Sequence, residues 1–332
     1  MTKSTALFWS DRFLGHDTGD HPEHPGRAVA VRAELLRQGV FTDRPDVEFG
    51  PASDAVATAA HDPEHLEKLA AFVAAGGGWY DDDTRLGADS LEVARWSAGA
   101  AVAAVEQVAS GRIARAFSLG RPPGHHASRE RAMGFCLINN AAVAAATALE
   151  LGMKRVAIVD WDVHHGNGTQ DIFYETDRVF FVSLHQHPYY PGSGWASEKG
   201  RGPGRGYTLN APLPAGQGDR LYLRVMDELV LPVLRGYRPE LVIISAGFDA
   251  HADDPLAGML VTETGFAGMA QRLAGLADET AGGRLVAVLE GGYDPGALGR
   301  SVAATIRALD GESLETIAES CAVARREGTV QG

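Results

Sequence analysis

Short runs of apolar, largely β-branched residues recur along the chain from residue 155 onward, and turn or polar residues bound each one. The runs are residues 155–160 (RVAIVD), 179–184 (VFFVSL), 241–245 (LVIIS) and 285–289 (LVAVL). Because they are continuously apolar and do not alternate with polar residues, they predict parallel strands that are buried on both faces.

Stretches with apolar residues at helical spacing lie between these runs, at residues 90–108, 141–151, 219–234 and 263–276. Asp62 followed by Pro63 predicts the N-cap and first residue of another helix. Alternating strands and helices are typical of an α/β fold, with a central, mostly parallel sheet covered by helices on both faces. No internal repeat, low-complexity linker or charge block divides the sequence, so residues 1–332 are predicted to form a single domain, with residues 312–332 as a peripheral or partly mobile tail.

Composition narrows the classes of partner. Thirty Lys and Arg against 43 Asp and Glu give a net charge of −13, which disfavours nucleic acid and anionic membranes and suits a neutral or cationic ligand. Cys136 and Cys321 form neither a disulfide framework nor a CxxC metal pair, as is usual in a reducing compartment. The N-terminal apolar run is too short for a signal peptide, and no uninterrupted apolar stretch reaches membrane-spanning length. A cytoplasmic protein is therefore predicted.

Metal-ligating residues follow two of the predicted strands. Asp162 and His164 come directly after the first, in DWDVHHGNGTQ, and would lie on the same side of an extended chain. Asp249 follows the third, in SAGFDAHADDPL. Ligands of parallel sheets bind beyond the carboxyl ends of the strands. Two carboxylates and one imidazole would form an open three-ligand site with room for water, as a catalytic zinc site requires.

Two further motifs carry candidate proton donors. His125 and His126 follow the apolar run 113–120 and a Pro-Pro-Gly turn. They could be extra metal ligands. The favoured interpretation is that one is a general base and the other its electrostatic partner, because hydrolysis needs a group that takes and returns a proton. In LEGGYDPGAL, Gly291 and Gly292 would let the backbone approach a ligand and present Tyr293 as an oxyanion donor. A turn with a packed tyrosine explains this last motif equally well.

Taken together, these motifs resemble the histone deacetylase superfamily over nearly the whole chain, especially its class II-like bacterial amidohydrolases, which are related to the acetylpolyamine amidohydrolases. The motifs in order are HPEHPGR (residues 21–27), RPPGHHA, GFCLINN, DWDVHHGNGTQ, SLHQHPYYPGSG, SAGFDAH and LEGGY. The resemblance implies an arginase/deacetylase-like fold and hydrolysis of the amide of N-acylated primary amines, acyl-lysine above all.

The same resemblance implies roles for individual residues. One zinc ion would be bound by Asp162, His164 and Asp249, with His126 as general base and then acid, His125 as electrostatic stabiliser and Tyr293 as oxyanion donor. Asp160 would orient His125, and Asn167 would orient His126. The family carries Asp or Asn at the last position, and Asn gives His126 no carboxylate to hold it protonated. We therefore expect a neutral His126 that acts as a base near neutral pH.

Substrate and ion contacts are also implied by the resemblance. Phe135 and Tyr190 would be tunnel walls, Gly134 would let the alkyl chain lie close, and Arg27 would lie near an acetate exit, although a surface position in a first helical turn is equally consistent with its sequence. Potassium is expected at two sets of mostly backbone ligands: Asp160, Asp162, His164, Ser183 and Leu184 in one, and Phe173, Thr176, Val179 and Tyr207 in the other.

Three other functions are related to parts of this motif set. An arginase-type binuclear site would need carboxylates where Gly166 and His251 stand. A polyamine deacetylase would need an acidic gatekeeper at the position of Leu256, whose apolar side chain favours acyl-lysine. Four acidic residues could take the gatekeeper's place: Asp82, Asp83, Asp253 and Asp254. The first two lie in residues 77–84, for which a solvated turn is the favoured interpretation. A noncatalytic acyl-amine binder is expected to have lost Tyr293, a histidine or a zinc ligand, and this chain retains them all.

Overall fold

The computed structural model describes residues 4–42, 44 and 47–330, and for residues 326–330 it describes the backbone only. The strands are β1 (Ala6–Phe8), β2 (Gly78–Trp79), β3 (Arg85–Leu86), β4 (Arg115–Ser118), β5 (Val156–Asp160), β6 (Val179–Gln186), β7 (Thr208–Leu213), β8 (Leu241–Ala246) and β9 (Leu285–Leu289). The α-helices are α1 (Gly26–Arg37), α2 (Asp54–Ala57), α3 (Pro63–Ala74), α4 (Ser90–Ala109), α5 (Asn140–Glu150), α6 (Asn167–Phe173), α7 (Asp219–Val225), α8 (Leu231–Tyr237), α9 (Glu263–Thr280), α10 (Pro295–Leu309) and α11 (Leu314–Val330).

A seven-stranded sheet organises the chain in the order β1-β4-β9-β8-β5-β6-β7. Every neighbouring pair in it is parallel, while β2 and β3 form a separate antiparallel pair. The four apolar runs are strands β5, β6, β8 and β9, which confirms the predicted α/β fold with a parallel sheet. Because all strands of this sheet run the same way, the loops that follow them meet at one edge.

Helices cover both faces of the sheet. Along β5, Ala157 and Val159 belong to the core shared with α1 and α7–α11. Val156 and Ile158 on the same strand belong to the opposite core, shared with α2–α6. Successive side chains of a strand point to opposite faces, so burial on both faces is the reason these strands are continuously apolar.

The predicted helix at 219–234 is interrupted. It is observed as α7, a π-helical turn at Met226–Val230, and α8. Pro232 lies in the first turn of α8 and has no backbone N–H to donate to the preceding turn, and such interruptions commonly widen a helix locally. The predicted start of α3 is confirmed, with Asp62 as N-cap and Pro63 as first residue.

The C-terminal segment, expected to be a peripheral tail, is largely helix α11. Its Ile317 is fully buried in the core formed with α9 and α10, and Arg325 forms an ion pair with the buried carboxylate of Glu263. Among the described helices, none combines the length and apolar character needed to cross a membrane.

Candidate active site

The predicted metal ligands converge at the carboxyl edge of the sheet, after the neighbouring strands β5 and β8. Nδ1 of His164 lies 3.1 Å from Oδ1 of Asp162 and 3.1 Å from Oδ2 of Asp249. The expected extended conformation is wrong, because β5 ends at Asp160. Asp162 and His164 lie instead in a turn in which Asp162 Oδ1 accepts the backbone N–H of His164 at 2.9 Å.

Backbone groups hold the two carboxylates from behind. Oδ2 of Asp162 accepts the N–H of Gly291 at 2.9 Å, and Oδ1 of Asp249 accepts the N–H of Val163 at 2.8 Å. A Cβ added at Gly291 would lie 2.3 Å from Oδ2 of Asp249 and 2.6 Å from Oδ2 of Asp162. This position therefore requires glycine, and the ligand atoms of the three side chains lie within 4.8 Å of one another.

The charges at this cluster favour a bound cation. Burial and the neighbouring Asp162 raise the pKa of Asp249 to about 7. Burial disfavours the charged form of His164, but hydrogen bonds to both carboxylates outweigh it and raise the pKa of His164 to about 10. A divalent cation would relieve the repulsion between the carboxylates. Two carboxylates and one imidazole suit zinc, and three protein donors leave a coordination position open, as in catalytic rather than structural zinc sites.

The histidine pair stands beside this cluster, after β4 and the Pro-Pro-Gly turn. Nδ1 of His125 donates to Oδ2 of Asp160 at 2.9 Å, and Nδ1 of His126 donates to Oδ1 of Asn167 at 2.7 Å. The amide nitrogen of Asn167 donates to the sulfur of Met133 at 3.5 Å, which fixes its oxygen toward His126. With Nδ1 protonated, neutral His126 has a free lone pair on Nε2.

Opposite charge states follow from the surroundings of the two imidazoles. Burial lowers the pKa of His125, but the carboxylates of Asp162 and Asp160 outweigh it, and the pKa lies well above its ordinary value. Burial, reinforced by positive charge on His125 and His164, places the pKa of His126 well below its ordinary value. A charged His125 therefore stands next to a neutral His126, as groups with different tasks in proton transfer require.

Tyr293 follows β9 and the two glycines, of which Gly291 contacts the metal-ligand carboxylates. Its ring meets Phe135 edge-on with centroids 5.7 Å apart, and the Arg27 guanidinium carbon lies 4.9 Å from its centroid. Its backbone N–H donates to Oδ2 of Asp254 at 2.6 Å. Burial raises the pKa of Tyr293 well above its ordinary value, so its hydroxyl stays protonated and able to donate.

The residues expected to form the walls of a substrate passage lie close to His126, whose ring centroid is 5.2 Å from that of Tyr190. A Cβ added at Gly134 would lie 2.5 Å from the His126 ring and 3.0 Å from the Tyr190 hydroxyl. Phe135 has a φ of +68°, which non-glycine residues rarely adopt. Its N–H donates to the Thr84 hydroxyl at 3.1 Å, and Gly134 N–H donates to Asp83 Oδ1 at 3.1 Å. The loop that contains β2 and β3 thus holds the wall of the passage in place.

Comparison with known proteins agrees with this geometry. Residues 21–309 match the histone deacetylase domain family. The chain belongs to the histone deacetylase family. It is 40% identical over 319 residues to a probable deacetylase of Archaeoglobus fulgidus, covering 95% of this chain and 89% of that protein. It is 42% identical over 313 residues to the histone deacetylase-like amidohydrolase of Pseudomonas aeruginosa, covering 88% of this chain and 82% of that protein.

Structural comparison gives the same family. The crystal structure of the HDA15 HD domain superimposes with a TM-score of 0.89 at 37% identity, covering 99% of both chains. The chain is thus an amidohydrolase of the histone deacetylase family, as the motifs predicted. Family membership implies a zinc site, and the buried cluster of Asp162, His164 and Asp249 fits it.

Arg27 occupies a buried position in this histone deacetylase family member, so the alternative of a surface residue is wrong. Only 1% of it is exposed, and its guanidinium donates to the carbonyls of Glu290 and Gly292 at 2.6 Å each. It also contacts Glu23 Oε1 at 3.0 Å. Arg27 therefore lies directly behind the Gly-Gly-Tyr segment that presents Tyr293.

The residues expected at the mouth of this passage differ in their burial and in their contacts. Leu256 is half-buried, and its carbonyl accepts the hydroxyl of Tyr189. Asp254 is buried and accepts the backbone N–H of Tyr293. Asp253 lies 3.3 Å from Arg300. Asp83 accepts the N–H of Gly134. Asp82 is exposed.

Some residues of each predicted potassium set are neighbours in the structure. In the first, Asp160 on β5 is the register partner of Ser183 on β6, which precedes Leu184. In the second, the carbonyl of Phe173 accepts the N–H of Thr176 at 3.3 Å, and that of Tyr207 accepts the N–H of Phe181 at 2.9 Å. Both sets stay predictions.

Two buried carboxylates were not among the residues predicted from the sequence. Glu290 accepts the backbone N–H groups of Gly124 at 2.6 Å and His125 at 3.1 Å, and burial raises its pKa to about 7. Glu23 receives two hydrogen bonds from Arg121, at 2.8 and 2.7 Å. Both residues lie inside motifs that the sequence analysis recognised, LEGGY and HPEHPGR. A charged residue inside such a motif was the sequence signal that could have identified them.

Proposed function

We propose that this histone deacetylase family member hydrolyses the amide of N-acylated primary amines, most favourably acyl-lysine, with one zinc ion held by Asp162, His164 and Asp249. The observation that carries the proposal is an open three-donor cluster beside a neutral His126 whose Nε2 lone pair is free. When bound, zinc supplies Lewis acidity, which makes water a better nucleophile and the acyl carbon a better electrophile.

The side chains around the cluster would handle protons and charge. Nε2 of His126 takes a proton from water as the C–O bond forms, and returns it to the amine nitrogen as the C–N bond breaks. The charged ring of His125 stabilises the negative charge that develops, and the Tyr293 hydroxyl donates to the oxyanion. The products are a carboxylate and a free primary amine.

Neighbouring residues would hold these groups in position. Asp160 fixes the ring of His125 and Asn167 fixes the tautomer of His126, which matches the orienting role expected of such partners. Potassium at the set that contains Asp160, Ser183 and Leu184 would stabilise the turn between β5 and the zinc ligands. The second potassium set, around Tyr207, lies at the opposite end of β6.

The mouth of the passage favours acyl-lysine. Phe135 and Tyr190 would flank the alkyl chain, Gly134 leaves room for it, and Leu256 offers an apolar surface where a gatekeeping carboxylate would select a second ammonium. Acetylpolyamines are the second candidate, because exposed Asp82 and half-buried Asp83 place negative charge near this entrance.

The test is a side-by-side assay of the purified chain with acetyl-lysine peptide, acetylputrescine, acetylspermidine and longer acyl-lysines, together with its zinc content. We expect about one zinc per chain and the highest kcat/KM for an acyl-lysine. Asp249→Asn should lose both zinc and turnover, whereas His126→Ala should retain zinc and lose turnover. A zinc-loaded protein that binds acyl amines but hydrolyses none of them would instead be a noncatalytic binder.

A further inference from the structure

A cleft of about 650 Å³ lies at the edge of the sheet opposite the active site. Arg155 and Arg178, which line it, directly precede β5 and β6, and Tyr207 directly precedes β7. Tyr237, at the end of α8, closes another side. Because the strands are parallel, this amino edge lies at the far end of the sheet from the predicted zinc ligands.

The cleft concentrates positive charge on a chain whose net charge is −13. It is lined by Lys154, Arg155, Arg178 and Arg205, against a single acidic lining residue, Asp177, within the described part of the chain. Arg155 lies 3.5 Å from Glu240. In the same described part, no ion pair with a carboxylate is formed by Lys154, Arg178 or Arg205. Three cationic groups therefore face the cleft without a carboxylate partner.

Backbone carbonyls position two of these guanidinium groups. Arg178 Nη2 donates to the carbonyl of Met153 at 3.1 Å, and Arg155 Nε donates to the carbonyl of Arg238 at 2.8 Å. Carbonyl oxygens fix the orientation of both arginines, and the charge of Arg178 stays without a carboxylate partner, whereas that of Arg155 is paired with Glu240. Arginines held in this way are suited to bind phosphate oxygens through paired N–H groups.

Three aromatic rings form one wall of the cleft. The ring centroids of Phe180 lie 5.8 Å from Tyr207 and 5.3 Å from Tyr237, and the two tyrosines lie 5.6 Å apart. The Tyr237 hydroxyl donates to the carbonyl of Asp177 at 3.0 Å. Phe180 is buried, whereas both tyrosines are half-buried and leave ring surface toward the cleft.

We propose that this cleft binds a small ligand that carries phosphate and a planar ring, of the nucleotide class. The arginines and Lys154 would bind the phosphates, and the tyrosine rings would contact the base. The volume lies within the range of about 300–1,000 Å³ that small-molecule sites occupy, and the negative charge of the rest of the chain disfavours a nucleic-acid polymer.

Titration calorimetry of the full zinc-loaded chain tests this with ADP, adenosine and inorganic pyrophosphate. We expect ADP to bind at least tenfold more tightly than either of the other two, because only ADP has both phosphates and a ring. Equal affinity for pyrophosphate or adenosine would overturn the nucleotide assignment, as would tighter binding of a single-stranded RNA than of ADP.

Substitutions inside and outside the cleft test whether ADP binds there. Arg205→Glu should weaken ADP binding at least tenfold, whereas Arg224→Glu, an exposed arginine on α7 outside the cleft, should leave it unchanged. Tyr237→Leu should weaken ADP but not pyrophosphate, with Tyr237→Phe as the ring-retaining control. ADP binding that Arg205→Glu does not alter would refute the site.

Deacylation by Arg205→Glu is expected to equal that of the unmodified chain, since the cleft and the catalytic edge lie at opposite ends of the sheet. Failure of the cleft proposal would therefore leave turnover intact, and failure of the proposed deacylation would leave ADP binding intact.

Discussion

Oδ1 of Asn167 lies 2.7 Å from Nδ1 of His126, so a neutral amide and not a carboxylate orients the proposed base. Burial, reinforced by the neighbouring His125 and His164, already places the pKa of His126 well below its ordinary value. An amide adds no charge that would oppose them. The base is therefore expected to stay neutral and ready to accept a proton across the neutral pH range.

Replacing this amide with a carboxylate should reverse part of the effect. In Asn167→Asp the added negative charge favours protonated His126, so its pKa rises and the acidic limb of the kcat/KM profile moves up by about one pH unit or more. Gln107→Glu on α4 adds the same charge elsewhere and should leave the profile in place. A downward shift in Asn167→Asp would contradict the neutral-base assignment.

Removal of the Tyr293 hydroxyl should affect the rate and not the binding of substrate. In Tyr293→Phe the ring contacts with Phe135 and Arg27 can persist, but the proposed oxyanion donor is lost. We expect kcat to fall by roughly 10²–10³-fold with little change in KM, as for other oxyanion donors. Tyr174→Phe, which removes a hydroxyl outside the site, is the control. A comparable loss in both variants, or an unchanged kcat in Tyr293→Phe, would exclude this role.

Gly291 should be intolerant of even one methyl group. The Cβ of Gly291→Ala would lie 2.3 Å from the Asp249 carboxylate, and the hydrogen bonds that hold both carboxylates to backbone N–H groups oppose their displacement. We expect zinc content measured by atomic emission to fall well below one ion per chain. In Gly275→Ala, on helix α9 with no atom within 4 Å of the added Cβ, zinc should be retained and the helix stabilised by up to about 1 kcal/mol. Full zinc occupancy in Gly291→Ala would refute the close approach.

Loss of the buried charge on Glu23 should destabilise the fold. Glu23→Gln leaves Arg27 and Arg121 buried without their carboxylate, for which about 3–5 kcal/mol of unfolding free energy is expected. Urea denaturation measures this loss of unfolding free energy. Glu175→Gln, which breaks an exposed ion pair with Arg201, should change the unfolding free energy little. Burial alone would raise the folded-state pKa of Glu23, but Arg121 outweighs it and holds this pKa below its ordinary value. The contribution to stability is therefore present above the ordinary pKa and is lost as pH falls toward the lower value. Equal stability of the two variants would argue against the role of Glu23.

Burial on both faces made the central strands readable from the sequence. Strands β5, β6, β8 and β9 are continuous apolar runs, and the prediction found each within two residues of its observed end. The edge strand β7 (TLNAPL) contains Asn210 and Pro212, is half-buried at Leu209 and Pro212, and has no such continuous apolar pattern. Short strands at the sheet margin gain their structure from pairing, which a single sequence does not display.

The candidate site likewise has a part that the sequence predicted and a part that it did not. The residue types of Asp162, His164 and Asp249 and their places after strands were enough to predict a metal cluster. The contacts that hold the site are between distant parts of the chain, such as Glu290 with the backbone of Gly124, 166 residues away. Such partners depend on strand order and on how the loops pack, so they became apparent only in three dimensions.

Strand β8 is inserted between β5 and β9, and it alone brings Asp249 to the cluster. During translation, Asp162 and His164 leave the ribosome well before Asp249, and Tyr293 emerges later still. A nascent chain consequently holds only two of the three donors until β8 has been made and has paired with β5. Metal loading should therefore be a late event in biogenesis, and the zinc content of newly made protein should report how many chains have completed the sheet.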